Sequence, residues 1–239
     1  MYSVEELAKM IDHSLLHPTM TDADFENGFA VAKEYKVASV CIKPYAVEMA
    51  AKALKDTGVL VCTVVGFPHG SSTTEVKVAE TIQACKQGAT EIDMVVNIGK
   101  VLQEDWDYVQ KEIKAILEAT HEHGGILKVI FENDFLPTDK FKIKLCEICS
   151  ELGVEFVKTS TGYGMVKDID GKYSYEGATH HDLQLMREHC SPAVQIKAAG
   201  GIRTLDDMLS TIDLGVTRIG ATATAAILEA AKNRFEPES

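Results

Sequence analysis

The feature that most constrains this chain is an eightfold alternation. Short apolar runs recur at Met10–Ser14, Ala38–Lys43, Leu60–Gly66, Glu91–Val96, Leu127–Glu132, Phe156–Thr159, Gln195–Ala198 and Thr217–Gly220, separated by longer stretches with helical spacing. In Leu102–Glu122, for example, Val109, Ile113, Ile116 and Leu117 fall on one face. Helix starts are marked as well. Thr21 precedes Asp22-Ala23-Asp24 and Thr204 precedes Leu205-Asp206-Asp207, each offering an N-cap oxygen and first-turn carboxylates. Strands alternating with helices imply right-handed βαβ units and a parallel sheet. Eight units in 239 residues predict a closed, eight-stranded parallel (β/α)8 TIM barrel, read as one domain over 1–239 with a polar tail at about 234–239. The alternative is an open doubly wound sheet, but no Gly-x-Gly-x-x-Gly turn follows the first run. The longest irregular stretch, Gly162–His180, is of a length that usually serves a site or is mobile.

Composition narrows the function classes. With 46% apolar and 25% charged residues, the chain is neither a disordered tail nor a disulfide-dense mini-domain. A net charge of −12 argues against nucleic acid as a partner, because phosphate polymers call for a basic face. No apolar run approaches the ~18 residues that a membrane span needs. Met1–Glu6 lacks the pattern of a secretory signal, and Cys41, Cys62, Cys85, Cys146, Cys149 and Cys190 are scattered through apolar segments. Reduced thiols and a cytoplasmic location are therefore expected. The negative charge is assigned to outer helices, through carboxylates such as Glu75, Glu104, Asp107 and Glu112. The site itself is expected to have the opposite sign, from Lys197, Arg203 and helix N-termini.

In a barrel of this kind, reacting groups sit at the C-terminal ends of strands. The polar residues inside the apolar runs are Asp12, Lys43, Asp93, Lys128, Glu132, Lys158 and Lys197. Lys158 and Lys197 are the most informative, because they lie on consecutive strands and should point into one barrel mouth. A buried ammonium either pairs with a carboxylate or loses its proton, and two neighbouring cations lower each other's pKa. A neutral amine there attacks a carbonyl carbon and forms a Schiff base. The bland alternative is a structural ion pair for each lysine. Asp93 is the natural third member, as a proton relay, a salt-bridge partner or both. Lys128 and Glu132 share a strand face at even spacing and are expected to form a supporting ion pair. Asp12 either orients a lysine or caps a loop.

Three glycine groupings are candidate anion sites: Thr161-Gly162, Gly200-Gly201-Ile202-Arg203-Thr204 and Gly220-Ala221-Thr222-Ala223-Thr224. The last two precede helices, whose N-terminal amides and dipole favour phosphate. Other signals fade. Cys146-x-x-Cys149 lies in a helical stretch without a second pair, so core packing explains it. His121-Glu122-His123 and His180-His181 lack the spacing of a zinc hydrolase and read as solvated. Cys41 reads as a small buried residue at a strand end, and Phe67-Pro68-His69-Gly70 as a turn shaping the mouth.

Taken together and in order, four segments resemble the deoxyribose-phosphate aldolase family. They are Val157-Lys158-Thr159-Ser160-Thr161-Gly162, Lys197-Ala198-Ala199-Gly200-Gly201-Ile202-Arg203-Thr204, Gly66-Phe67-Pro68-His69-Gly70 and Glu91-Ile92-Asp93-Met94-Val95-Val96. The likeness runs from Ile11-Asp12-His13 to Arg218-Ile219-Gly220. It implies a class I aldolase, a lyase of nucleoside catabolism that interconverts 2-deoxy-D-ribose 5-phosphate with acetaldehyde and D-glyceraldehyde 3-phosphate. Lys158 would be the Schiff-base lysine, Lys197 would lower its pKa, and Asp93 would belong to the proton relay. Phosphate would rest on Gly162, Gly200, Gly201, Gly220, Ala221 and Thr222, with Asp12, Lys128 and Thr161 in support. No metal and no organic cofactor are implied, because the iminium is itself the electron sink. The partners implied are a phosphosugar and aldehydes, with no nucleic acid and no membrane. Homo-oligomers are common among barrels, and the sequence selects no assembly state.

The chain also departs from the family pattern. Thr222-Ala223 stands where relatives often carry Ser-Ser, Tyr163 where they often carry lysine, and Phe131-Glu132-Asn133-Asp134 where the fifth strand usually ends Leu-Glu-Thr-Gly. The first two thin the expected phosphate cradle, which leaves room for a shifted sugar-phosphate or aldehyde substrate of a related Schiff-base lyase. A metal-dependent aldolase and a non-catalytic sugar-phosphate-binding barrel are the remaining alternatives.

Overall fold

The computed structural model describes residues 2–236. The eight predicted strands appear as β1 (Ile11–Leu15), β2 (Ser39–Ile42), β3 (Leu60–Val65), β4 (Glu91–Val95), β5 (Ile126–Ile130), β6 (Phe156–Lys158), β9 (Gln195–Ala199) and β10 (Arg218–Ala221). They close in the order β1-β10-β9-β6-β5-β4-β3-β2, every pair parallel. The predicted barrel is therefore present, and the open-sheet alternative is excluded by the β1–β10 pairing of Ile11 with Ile219 and Asp12 with Gly220. Between β6 and β9 lies a small antiparallel hairpin, β7 (Val166–Lys167) and β8 (Tyr173–Ser174), inside the stretch read as irregular.

Alternation along each strand sorts side chains between two environments. One set faces the surrounding helices, and these residues, such as Ile92, Met94, Leu127, Val129, Val157 and Ile196, are fully buried apolar groups. The other set faces the lumen and includes Asp12, Glu91, Asp93, Lys128, Lys158 and Lys197, all buried. Barrel interiors are usually filled by branched apolar side chains. Here the filling is ionic, and that exception positions the site.

Helix boundaries follow local chemistry. A short helix, Ile98–Leu102, ends where the stretch predicted as helical over 102–122 begins, and the predicted helix itself is Trp106–His121. Glu104 takes a left-handed φ of 62° and breaks the first. Asp105 then caps the second, its carboxylate accepting from the Tyr108 amide at 3.3 Å. The second buries Val109, Ile113, Ile116 and Leu117 as the spacing predicts, but it also buries Glu112, so Glu112 is not the surface charge expected of it. At Thr21 the cap works in reverse: the Asp24 carboxylate accepts from both the Thr21 amide and its hydroxyl at 2.7 Å. The last helix, Thr224–Phe235, runs into the predicted polar tail. Arg234 pairs with Asp206 at 2.7 Å, and Phe235 packs on the core, so only the end of that tail remains. Residues 237–239 of the tail lie outside the described residues. No helix of the described residues is long and apolar enough to cross a membrane.

Candidate active site

Strand register builds the site. Lys158 on β6 pairs in register with Lys197 on β9, and Asp93 on β4 with Lys128 on β5. The predicted meeting of Lys158, Lys197 and Asp93 therefore occurs. Asp93 Oδ2 accepts from Lys158 Nζ at 2.7 Å and from Lys197 Nζ at 2.8 Å, while its Oδ1 accepts from Lys128 Nζ at 2.9 Å. Asp12 turns out to orient a lysine rather than cap a loop: its Oδ2 accepts from Lys197 Nζ at 2.5 Å. Its Oδ1 accepts from the Ser39 hydroxyl at 2.6 Å and from Arg218 Nη1 at 2.7 Å.

These contacts decide the charges. Burial alone pushes carboxyls up, but Lys197, Lys128 and Arg218 around Asp12, and three lysines around Asp93, hold both acids well below the usual carboxylate range. Burial likewise disfavours the Lys197 ammonium, yet Asp12 and Asp93 outweigh it and hold Lys197 charged well above the ordinary lysine range. A neighbouring cation, Lys128, does lower Lys197, but the two carboxylates outweigh it and the net displacement is upward. Lys128 is held charged in the same way, against burial, by Asp93, Cys62, Asp12 and Glu91. Lys158 has the least compensation: one carboxylate oxygen, shared with Lys197.

Two of the sequence expectations are corrected. Lys128 does not pair with Glu132. Strand β5 ends at Ile130, and Glu132 adopts a left-handed φ of 58° that takes it away from the Lys128 face. Its carboxylate instead accepts from the Thr161 amide at 3.1 Å and from the Thr161 hydroxyl, tying down the loop after Lys158. Burial, against those bonds, pushes the Glu132 carboxyl up. Lys43 lies beyond the end of β2 and is a loop clasp, donating to the His17 and Met20 carbonyls at 3.0 and 3.1 Å.

Above the ions opens a cavity of about 240 Å³. Lys158 and Lys197 reach it from below, and Thr161, Gly162, Gly200, Gly201, Gly220, Ala221 and Thr222 line it, so every predicted phosphate residue borders the same space. Cys41, Tyr163, Tyr175 and Arg203 complete the wall. The two helix N-termini at the rim differ. Helix Leu205–Ile212 is capped by its own residues: Asp207 accepts from the Arg203 and Thr204 amides, and Thr204 accepts from the Asp207 amide. Helix Thr224–Phe235 has no side-chain cap, which leaves the Gly220–Thr222 turn as the better anion cradle. Gly200 and Gly201 have φ of 90° and 88°, and a Cβ on Gly200 would stand 3.0 Å from Gly177 Cα. Glycine there lets the hairpin loop close over the turn, where the Ala178 amide donates to the Gly200 carbonyl at 3.1 Å. Asp134 anchors the same loop by accepting from the Glu176 and Gly177 amides. A larger cavity of about 470 Å³ lies behind this loop, but the network lysines do not line it.

Among the described residues three groups of side chains could hold a metal ion: Cys41, Cys62 and Asp93; Asp139, His181 and Asp182; and Asp12, Cys62 and Glu91. The last group surrounds Lys128 Nζ, which stands 3.7, 3.3 and 2.6 Å from its members. An ammonium already fills the position a cation would take.

A family model described as DeoC/LacD family aldolase matches residues 7–230. The chain belongs to that family of aldolases. It is 50% identical over 234 residues to a deoxyribose-phosphate aldolase of Rhodopirellula baltica, covering 98% of this chain and 92% of the relative. It is 47% identical over 225 residues to one from Clostridium perfringens, covering 94% and 95%. A solved structure described as a tetrameric deoxyribose phosphate aldolase from Aeropyrum pernix superposes with a TM-score of 0.85 at 29% identity, over 98% of this chain and 94% of that one.

Glu91, Arg218 and Cys62 belong to the site's surroundings but carry no distinguishing signal, whereas Glu132 stands out as a charge in an apolar run and is expected to pair with Lys128 instead of Thr161. Glu91 opens its apolar run and Arg218 is the second residue of its own, where a charged residue is ordinarily a solvated strand end.

Proposed function

We propose that this chain is a class I aldolase that cleaves 2-deoxy-D-ribose 5-phosphate, reversibly, to acetaldehyde and D-glyceraldehyde 3-phosphate, with Lys158 as the attacking amine. The observation that carries this reading is the unequal treatment of the two cavity lysines. Lys197 is fixed in its charged form by two carboxylates, while Lys158 shares a single carboxylate oxygen and faces the cavity. One is suited to hold a positive charge beside the reacting atoms and the other to act as a nucleophile.

Neutral Lys158 adds to C1 of the open-chain aldehyde, and loss of water gives the iminium. Lys197 supplies positive charge beside the departing oxygen. Removal of the C3 hydroxyl proton then breaks the C2–C3 bond, and the iminium takes up the electron pair as an enamine. Asp93, which bridges Lys158 and Lys197 through one oxygen, relays protons by way of water. Protonation at C2 and hydrolysis release acetaldehyde and restore the amine. The phosphate rests on Gly162, Gly200, Gly201 and the Gly220–Thr222 turn.

Tyr163 and Ala223 favour a weakened phosphate requirement, since Tyr163 lacks the positive charge and Ala223 the hydroxyl of the family pattern. Homo-oligomeric assembly and a cytoplasmic location belong to the same reading, and light scattering tests the first.

The decisive experiment is borohydride reduction in the presence of 2-deoxyribose 5-phosphate, followed by peptide mapping, beside a retro-aldol assay on unphosphorylated 2-deoxyribose. A reduced adduct on Lys158 is expected. Active protein without an adduct at Lys158 removes the Schiff-base assignment. Equal turnover of both sugars replaces the phosphosugar with a simpler aldehyde substrate.

A further inference from the structure

Inside the barrel the ion pairs close into a ring. Asp12 joins Arg218 at 2.7 Å, Arg218 joins Glu91 at 3.0 Å, and Glu91 joins Lys128 at 2.6 Å. Lys128 joins Asp93 at 2.9 Å, Asp93 joins Lys197 at 2.8 Å, and Lys197 returns to Asp12 at 2.5 Å. Acid and base alternate around all six positions, and Lys158 hangs on Asp93 from outside. Phe156 supports the ring, its centroid 5.3 Å from the Arg218 guanidinium and 6.0 Å from Lys128 Nζ. Glu91 and Arg218 do not line the cavity, so neither touches a substrate bound there.

We propose that Glu91 and Arg218 are positioning residues for the reaction at Lys158, fixing through Asp12, Lys128 and Asp93 the charge against which the attacking amine loses its proton. This inference rests on the aldolase reading of the site. The charge balance of the cluster sets the direction. The cluster contains three acids, Asp12, Glu91 and Asp93, and four bases, Lys128, Lys158, Lys197 and Arg218. With Lys158 protonated it carries one surplus positive charge, and with Lys158 neutral it balances. Away from water a balanced cluster is favoured over a charged one. Glu91 and Arg218 enter this count with opposite signs, so their removal must act in opposite directions. The other titratable neighbours do not change the comparison. The Cys41 and Cys62 thiols face the cluster from β2 and β3 and are the same in every variant. His13 bonds to the Thr224 hydroxyl at 2.8 Å, and burial holds its pKa down to about 4. Glu132 is engaged by Thr161.

The test is the pH dependence of kcat/KM for 2-deoxyribose 5-phosphate, whose acid limb reports the titration of the cluster as a whole. Glu91→Gln leaves two surplus charges and is expected to move that limb to lower pH by about 1 unit. Arg218→Met balances the cluster before Lys158 deprotonates and is expected to move it upward by a similar amount. The double variant restores the original surplus, and its limb returns to the wild-type position even where kcat has fallen. Shifts in the same direction, or lowered kcat with an unmoved limb, overturn the proposal and leave Glu91 and Arg218 as packing elements only. Should Glu91→Gln fail to fold, Arg218→Met against Arg218→Lys carries the same test, because lysine keeps the charge and must keep the limb. Borohydride trapping at Lys158 in the wild type separates the two readings. With an adduct and an unmoved limb only this proposal falls, and without an adduct both do.

Discussion

Charge is buried in two places in this molecule, with opposite outcomes. Between the helices Thr74–Lys86 and Trp106–His121, Lys77 and Glu112 form an isolated pair at 2.8 Å, both fully buried. Lys77 also donates to the Val95 carbonyl, and Glu112 accepts from the Asn97 amide at 3.0 Å, but neither has a second formal charge in contact. There burial prevails: it pushes the Lys77 ammonium down and the Glu112 carboxyl up, with the partner only partly opposing it. In the barrel the same burial loses at Asp12, Asp93, Lys128, Lys197 and Arg218, because each of them meets at least two opposite charges. The number of partners, rather than depth, decides whether a buried group keeps its charge. The isolated pair is a structural clasp. The ring is an environment in which one further lysine can be left short of partners.

The strongest way to break the distinction is Asp93→Asn, which removes the acid common to three lysines. It should lower kcat by at least ~10³-fold, judged against typical losses of acid–base groups, and slow borohydride trapping in parallel. Lys197→Met comes next, with a fall of about 10²-fold in kcat, because Lys158 remains while the adjacent cation is lost. Lys77→Met provides the contrast. It should cost about 3 kcal/mol in urea unfolding by stranding Glu112, with kcat at 25 °C changed less than about twofold. If Lys77→Met lowers kcat as far as Lys197→Met does, the two regions are not functionally distinct.

The smallest effect concerns pH. Asp12 and Asp93 are held below their ordinary value of 3.8, so the stability they contribute is full above that pH and is lost as pH falls below it. Glu112 is held above its ordinary 4.5, so its contribution has the opposite sign and is lost as pH rises from 4.5. Asp12→Asn should flatten the acid limb of the stability curve, and Glu112→Gln the segment above pH 4.5, each by about 1 kcal/mol. Urea midpoints measured from pH 3 to 7 would sharpen or erase the difference.

What could be read from the sequence follows the range of each interaction. Strands and helices depend on neighbours a few residues apart, and all eight barrel strands were visible as apolar runs. Lys158, Lys197 and Asp93 stood out because a charge inside an apolar run needs an explanation. Glu91 and Arg218 bond across 127 residues, and their partnership depends on which strands face each other over the lumen. Glu132 needed the left-handed turn to be known before its face could be assigned. Glu112 was different: it lies three residues after Val109 and four before Ile116, so the spacing already put it on the buried face.

The ring, with Lys158 attached to it, divides unevenly along the chain. Asp12, Glu91, Asp93 and Lys128 come from β1, β4 and β5, whereas Lys158, Lys197 and Arg218 come from β6, β9 and β10. The first five strands therefore bring an excess of acid and the last three only base. Each fragment on its own would hold unmatched charge on what becomes the barrel interior, so the two are complementary rather than interchangeable. Coexpressed as 1–152 and 153–239, they should find each other with a salt-sensitive affinity, and two copies of either fragment should not.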